Sequence, residues 1–138
     1  MVLSKNILIC EDNLQVLSKL LDKLYTLEQD QPFDFAIMAL TTHQQVEEYV
    51  NNNTKAVWDI IILDRDCKLN ESFHVLEIER FGVDKVIAIS SVPEYNAEVK
   101  RRGVKRAILK DFKALDAFVG KVAKEVERMI TPSRLFNL

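Results

Sequence analysis

Apolar and polar positions along the chain form two repeating patterns. Short continuous apolar runs favour buried strands, whereas apolar residues three and four positions apart favour one face of a helix. The strongest run is the four large apolar residues 60–63, which lie between Asp59 and Asp64. A run of this kind predicts a strand covered on both faces, as in the middle of a parallel sheet.

Strands and helices alternate five times in this pattern. The predicted strands are residues 6–10, 34–41, 59–63, 85–90 and 106–109. The predicted helices are residues 14–27, 42–53, 73–81, 91–102 and 114–130. Capping residues are expected before three of the helices: Asp12 or Asn13 for the first, Thr42 with Gln45 for the second, and Ser91 with Glu94 for the fourth. Gly82 and Gly103 are expected to end the third and fourth helices.

Five strand–helix repeats predict an α/β fold: a doubly wound, five-stranded parallel sheet with five helices on its two faces. The expected strand order is 2-1-3-4-5, because the first and third strands are the most continuously apolar in sequence. The order reverses between those two strands, so a ligand crevice is expected between their carboxyl ends.

The length and composition favour one domain outside a membrane. We expect residues 1–130 of the 138 to form the domain and residues 131–138 a C-terminal tail. No apolar segment approaches the roughly 18 residues of a membrane span, and no signal peptide follows Met1. Cys10 and Cys67 are too few for a disulfide framework, which favours reduced thiols in the cytoplasm. The net charge of −2 gives no overall field that would recruit nucleic acid.

Acidic residues follow the two strands that border the expected crevice. Glu11 and Asp12 come after the first strand, and Asp64 comes after the third. Two carboxylates about 4 Å apart repel by roughly 4 kcal/mol at an effective dielectric of ~20, so a divalent cation would relieve the repulsion. Oxygen ligands alone favour Mg²⁺. A carboxylate beside Mg²⁺ can act as a nucleophile toward phosphorus.

Two other strands end on residues that suit phosphate. Ser90 offers a hydroxyl and Lys110 an ammonium, both suited to the oxygens of a transferred phosphoryl group. Ser91 is the better candidate to cap the following helix, which would leave Ser90 free. A nucleotide-binding loop is not expected, because no glycine lies near the loop after the first strand.

This order of residues resembles the receiver domain of two-component response regulators over about residues 5–130. The residues that carry the resemblance are Glu11, Asp12, Asp64, Ser90 and Lys110. The resemblance implies a flavodoxin-like fold and a phosphorelay role in signal transduction, with a sensor histidine kinase or a histidine phosphotransfer protein as the phosphoryl donor. It implies a phosphoprotein that assists only its own phosphorylation and dephosphorylation, and is not otherwise an enzyme.

The resemblance also assigns a role to each residue. Asp64 would be the phosphoacceptor, while Ser90 and Lys110 would hold the phosphoryl oxygens. Before transfer, Lys110 would pair with Asp64. The implied Mg²⁺ ligands are Asp12, Asp64, the backbone carbonyl of Asp66 and, through a water, Glu11. A downstream protein would bind the surface made by the fourth helix, the fifth strand and the fifth helix.

Three positions depart from the pattern of that family. Lys68 and Asp111 stand where prolines are usual, and Ala107 stands where a switch aromatic is usual. Two alternatives stay open, of which these departures motivate the first. One is a protein-binding module of the same fold that works without phosphorylation. The other is an Mg²⁺-dependent phosphate-ester hydrolase with an aspartate nucleophile, in which Asp66 would supply the second acid.

Overall fold

A computed structural model describes residues 3–68 and 71–131, so the predicted tail beyond Thr131 lies outside the described residues. The five predicted strands are present: β1 Leu3–Cys10, β2 Phe33–Leu40, β3 Ile60–Leu63, β4 Val86–Ala88 and β5 Arg106–Ala107. They form one parallel sheet in the order β2-β1-β3-β4-β5, as predicted. β5 is shorter than predicted, because only two of its residues pair with β4.

The helices are α1 Leu14–Gln29, α2 His43–Val46, α3 Ile78–Phe81, α4 Pro93–Arg101 and α5 Leu115–Ile130. α2 continues as a π-helical segment, Glu47–Asn51, so the predicted second helix changes its winding part-way. The predicted third helix is a 3₁₀ turn, Phe73–Val75, followed by the single turn of α3. Leu76 is extended between them (φ −59°, ψ 132°), which interrupts the helix.

Alternation of side chains along the strands explains the two-faced core. Residues one apart point to opposite faces of a sheet, so each buried strand feeds both layers. One cluster joins the sheet to α1 and α5 and includes the strand residues Ile7, Ile9, Ile60, Ile62 and Ile87, with Ile89 directly after β4. The opposite cluster joins the sheet to α2, α3 and α4 and includes Leu8, Cys10, Ile61, Leu63, Val86 and Ala88. β3 is therefore buried on both faces, as its sequence predicted.

The caps of the first two helices agree with the sequence. Asn13 Oδ1 accepts a hydrogen bond from the backbone N–H of Val16 at 3.1 Å. Thr42 and Gln45 form the predicted capping box, in which each side chain accepts a bond from the other residue's backbone N–H. These three bonds satisfy backbone donors that a helix start leaves unpaired.

The predicted capping box of Ser91 and Glu94 is wrong. α4 begins at Pro93, and its N-cap residue is Val92, which makes no side-chain cap. The Asn96 side chain holds the backbone of Ser90 on both sides, accepting from its N–H at 3.0 Å and donating to its carbonyl at 3.4 Å. This bond pair ties Ser90 to α4, and Ser91 lies before the N-cap residue, outside the first helical turn.

Within the described residues, no helix is both long enough and apolar enough to cross a lipid bilayer.

Gly120 lies inside α5, and an added Cβ there would meet no atom within 4 Å. Alanine is favoured over glycine in a helix interior by about 0.5–1 kcal/mol. We expect Gly120→Ala to raise the free energy of unfolding in urea by that amount. Gly103→Ala is the contrasting variant: Gly103 has φ +108°, and a Cβ would lie 3.3 Å from Val83, so this variant should lose stability. A loss of stability in Gly120→Ala would contradict the expectation.

Candidate functional site

Backbone hydrogen bonds bring the carboxyl ends of all five strands to one edge. Each bond runs between neighbouring strands just where they end. The bonds are Glu11 N–H to Leu40, Asp64 N–H to Cys10, Ile89 N–H to Leu63, and Lys110 N–H to Ser90, with N···O distances of 2.9–3.1 Å. The parallel ladder itself therefore sets the spacing of the residues that follow the strands.

Three carboxylates meet at this edge, as the sequence predicted. Glu11, Asp12 and Asp64 each present an oxygen, and these atoms all lie within 4.8 Å of one another. Glu11 is fully buried and Asp64 nearly so, whereas Asp12 is partly exposed. Carboxylates this close repel, and burial strengthens the repulsion because little water screens it.

Lys110 supplies the positive charge among these acids. Its Nζ lies 2.5 Å from Glu11 Oε1 and 3.1 Å from Asp64 Oδ2, and its side chain is 4% exposed. The predicted pairing with Asp64 is present, but the shorter contact is to Glu11. A second bond also holds Glu11, since its Oε2 accepts from the backbone N–H of Asn13 at 3.0 Å.

The pKa values of this cluster follow from its burial and charges. Desolvation and then the charge of Glu11 raise the pKa of Asp64 to about 7, although Lys110 acts in the opposite direction. Burial alone would lower the pKa of Lys110, but Asp64 and Glu11 together raise it, so the ammonium stays charged. One ammonium therefore faces three acids, of which Asp64 is only partly ionised at neutral pH.

Cys10 lies fully buried at the end of β1, directly before Glu11. Burial and then the charge of Asp64 raise the pKa of its thiol, so it stays protonated. Cys67 is also buried, and both cysteines are free thiols. The Cys10 thiol next to the acid cluster is therefore uncharged and reduced.

Ser90 is buried at the same edge, one strand beyond Asp64. Its hydroxyl is not free as predicted, because Oγ accepts a hydrogen bond from the backbone N–H of Val92 at 3.1 Å. A serine hydroxyl can donate as well as accept, so the bond from Val92 leaves its hydrogen available. Within residues 3–68 and 71–131, no acceptor for that hydrogen is described. Asn96, which sequence reasoning missed, anchors Ser90 through a side-chain amide six residues downstream.

Asp66 lies in the loop after β3 with its carboxylate turned to Arg65, at 2.8 Å. The loop bridges back to residues 71–73, through Cys67 N–H to Glu71 and Phe73 N–H to Arg65. Those bonds flank Asp66 without using its carbonyl. Its role as a metal ligand stays a prediction.

Arg65 is a second residue that sequence reasoning missed. It follows Asp64 directly, and its guanidinium lies 4.2 Å from the ring centre of Tyr95 on α4. Stacking of arginine on an aromatic face is favourable by about 0.5–1 kcal/mol at exposed sites. The contact links the loop after β3 to α4. No spacing rule would have paired two residues thirty positions apart.

No protein-family model matches the sequence, and no curated protein matches it either. Solved structures do match. The phosphorylated cyanobacterial phytochrome response regulator RcpA has a TM-score of 0.66 and 17% identity, with 91% of this chain and 92% of that chain covered. The bacteriophytochrome response regulator AtBRR has a TM-score of 0.62 and 15% identity, covering 94% and 96%. The bacteriophytochrome response regulator RtBRR has a TM-score of 0.58 and 21% identity, with 87% of this chain and 78% of that chain covered.

The chain has the receiver fold. The fold implied by the resemblance in sequence is therefore confirmed. Identities of this size show fold alone, and unrelated functions can share one fold. The receiver fold places the acid cluster of this chain at the edge where open parallel sheets bind ligands.

The raised pKa of Asp64 makes stability depend on pH. The folded protein holds this proton up to about pH 7, whereas the unfolded chain releases it near 3.8. Between those values the unfolded state binds fewer protons, so stability falls as pH rises. We therefore compare the free energy of unfolding of Asp64→Asn with that of the original chain, with a metal chelator present. The difference between them should shift in favour of Asp64→Asn by on the order of 3 kcal/mol between pH 5 and pH 8.

Urea unfolding at several pH values measures this difference. Asp116→Asn is the control, because Lys19 lowers the pKa of the exposed Asp116 carboxyl and it does not titrate in this window. A constant difference between Asp64→Asn and the original chain from pH 5 to pH 8 would contradict the expectation.

Proposed function

We propose that the chain is a phosphoacceptor receiver of a two-component phosphorelay, and that Asp64 takes a phosphoryl group from a phosphohistidine. The carrying observation is that Asp64 Oδ2 lies 3.1 Å from Lys110 Nζ, beside the carboxylates of Glu11 and Asp12. This arrangement joins a nucleophile, a fixed cation and a hard-metal ligand set at one sheet edge.

The reaction needs little covalent chemistry from the protein. A carboxylate oxygen of Asp64 bonds to phosphorus as the phosphorus–nitrogen bond breaks, and the electron pair of that bond returns to the imidazole. Phosphoryl transfer is promoted mainly by positioning and charge neutralisation. Lys110 already bonds Asp64 and Glu11, so its ammonium stays beside the new acyl phosphate. The Ser90 hydroxyl would donate its hydrogen to a phosphoryl oxygen.

The donor set at the site fits Mg²⁺. Three carboxylate oxygens within 4.8 Å of one another, balanced by one ammonium, match the ligands of a small hard cation. Asp12, Asp64 and the carbonyl of Asp66 would hold the ion, and Glu11 would act through a water. When bound, Mg²⁺ supplies charge neutralisation at the carboxylates and the phosphoryl oxygens.

The proposed donor is a sensor histidine kinase or a histidine phosphotransfer protein, in the cytoplasm, where free thiols such as Cys10 and Cys67 persist. The chain acts as a signalling domain that promotes only its own phosphorylation and dephosphorylation. Its output is a protein partner rather than nucleic acid, bound on the face of α4, β5 and α5. On that face Lys100 and Arg101 are exposed, whereas Arg102 is bound to Glu79.

The alternative of a phosphorylation-independent binding module rests on Ala107. Beside it, Pro93, Ala97 and Leu109 line a cavity of about 240 Å³ between α4 and β5. No aromatic side chain of residue 107 is available to move there. Beryllofluoride with Mg²⁺ separates the two functions: amide NMR shifts at Asp64, Ser90 and α4 support the phosphoacceptor, and unchanged spectra support the binding module.

Phosphorylation is tested with acetyl phosphate and Mg²⁺, followed by intact mass spectrometry. We expect one added phosphoryl group, which Asp64→Asn abolishes and Lys110→Ala reduces at least tenfold in rate because it removes the fixed cation. Asp116→Asn, an exposed carboxylate on α5, should be phosphorylated normally. A phosphoryl group that persists in Asp64→Asn would refute Asp64 as the acceptor.

Metal binding is tested by calorimetric titration with Mg²⁺. Asp12→Asn removes a charged ligand and should weaken binding about tenfold or more. Asp12 is partly exposed, so the substitution should leave the unfolding transition nearly unchanged. Equal affinity of Asp12→Asn and the original chain would exclude Asp12 as a ligand.

A further inference from the structure

β2 is an edge strand with an apolar, exposed surface. It pairs on one side only, with β1. Its residues from Phe35 to Leu40 carry no charge, and those at 36–39 are exposed, including Ile37 (38%) and Met38 (37%). Edge strands of this kind are templates for pairing with another chain, and natural proteins usually protect them with charges or prolines.

Hydrogen bonds show which backbone groups of β2 point away from the sheet. The Leu40 carbonyl oxygen accepts a hydrogen bond from Glu11 N–H on the β1 side. Phe35 N–H instead bonds to the Glu28 side chain at 2.7 Å, and Thr41 N–H to the Gln45 side chain at 2.7 Å. Neighbouring strand residues direct their backbone groups to alternate sides, so 35, 37, 39 and 41 point outward.

Side chains therefore cap the outward backbone N–H groups of Phe35 and Thr41. Between these caps, the N–H and C=O groups of Ile37 and Ala39 have no partner in residues 3–68 and 71–131. These four groups are symmetric about Met38, which is equally far from both caps. The open segment is thus self-complementary in an antiparallel pair.

We propose that β2 pairs with β2 of a second copy of this chain, antiparallel, with a two-fold axis at Met38. Ile37 of each copy would exchange N–H···O=C bonds with Ala39 of the other. Four bonds would form, and together they would use each N–H and C=O group of Ile37 and Ala39 in both copies. A closed two-fold interface of this type presents the same patch from both copies.

The groups at the ends of the segment favour a second copy over an unrelated strand. In this register Phe35 of one copy faces Thr41 of the other, so Glu28 of one copy meets Gln45 of its partner. The Gln45 oxygen already accepts from Thr41 and Thr42, which leaves its amide N–H groups to donate to the Glu28 carboxylate. At both ends of the paired segment, the Glu28 carboxylate of one copy would thus accept a hydrogen bond from the Gln45 amide of the other.

Apolar side chains flank the open segment on both faces of the sheet. Leu21 and Tyr25 of α1 lie beside Ile37 on one face. Tyr49, Val57 and Met38 border a cavity of about 450 Å³ on the other. Tyr25, Tyr49 and Val57 are more than half exposed, so pairing would remove apolar surface from water as well as join backbone groups.

Sedimentation equilibrium over a range of concentrations tests the association in the full chain. We expect a reversible dimer, and Met38→Lys should raise its dissociation constant at least tenfold, because two ammonium groups would face each other on the axis. Val75→Lys is the matched control: Val75 is 36% exposed but lies in the 3₁₀ turn, so its dimer should persist. A monomer at all concentrations, or a dimer that Met38→Lys leaves intact, would overturn the proposal.

A cysteine cross-link tests the register independently of stability. On the proposed axis, the two Met38 residues would form a directly opposed pair without hydrogen bonds between them. The Cα atoms of such a pair in antiparallel strands are about 4.5 Å apart, within the range of a disulfide. Met38→Cys should therefore form a covalent dimer under mild oxidation. Asp34→Cys should not, because its two copies would lie roughly 27 Å apart along the strands. Cys10 and Cys67 are buried and give little background. Equal cross-linking of both variants, or none in Met38→Cys, would refute the register.

Discussion

The contact of Lys110 with Glu11 and Asp64 is the interaction on which the rest of this site depends. Removing charged groups from water is unfavourable by several kcal/mol per ion, and close opposite charges must offset it. Here one ammonium lies against two buried carboxylates, and a third carboxylate is nearby. The balance remains negative, and burial together with the charge of Glu11 raises the pKa of Asp64, so this carboxyl holds its proton more tightly. The same imbalance makes the edge a suitable place for a divalent cation and for a group that carries phosphorus.

The sheet is what makes this charge cluster possible. Glu11, Asp64 and Lys110 follow three different strands, and backbone bonds at the strand ends fix the distances between them. Apolar residues directly before Glu11 and Asp64 bury β1 and β3 on both faces, so these two carboxylates emerge only at the edge. A rigid scaffold of this kind positions loop residues more precisely than the loops could themselves. The receiver fold is shared with response regulators of low identity, whereas the chemistry belongs to these particular side chains.

The two edges of the sheet contrast with each other. β5 ends after two residues, and Arg106 is bound to Glu125 and to the carbonyl of Asp84, so this edge is short and charged. β2 runs for eight residues and is apolar at its centre. Because β5 is short and charged, β2 is the edge at which the proposed backbone pairing would take place. The acid cluster proposed as the phosphoacceptor site lies at the carboxyl ends, away from the middle of that edge.

The sequence by itself determined the element order, the strand order and the edge where the acids meet. Continuous apolar runs ending on Glu11, Asp64 and Lys110 were enough, because burial and parallel connections follow from local pattern. Tertiary structure alone decided that Lys110 contacts Glu11 more closely than Asp64, and that Asn96 rather than a cap at Ser91 organises the start of α4. It also decided that Arg65 stacks on Tyr95, and which β2 groups are capped by Glu28 and Gln45. Those contacts depend on side-chain directions between distant segments, and local periodicity carries no information about them.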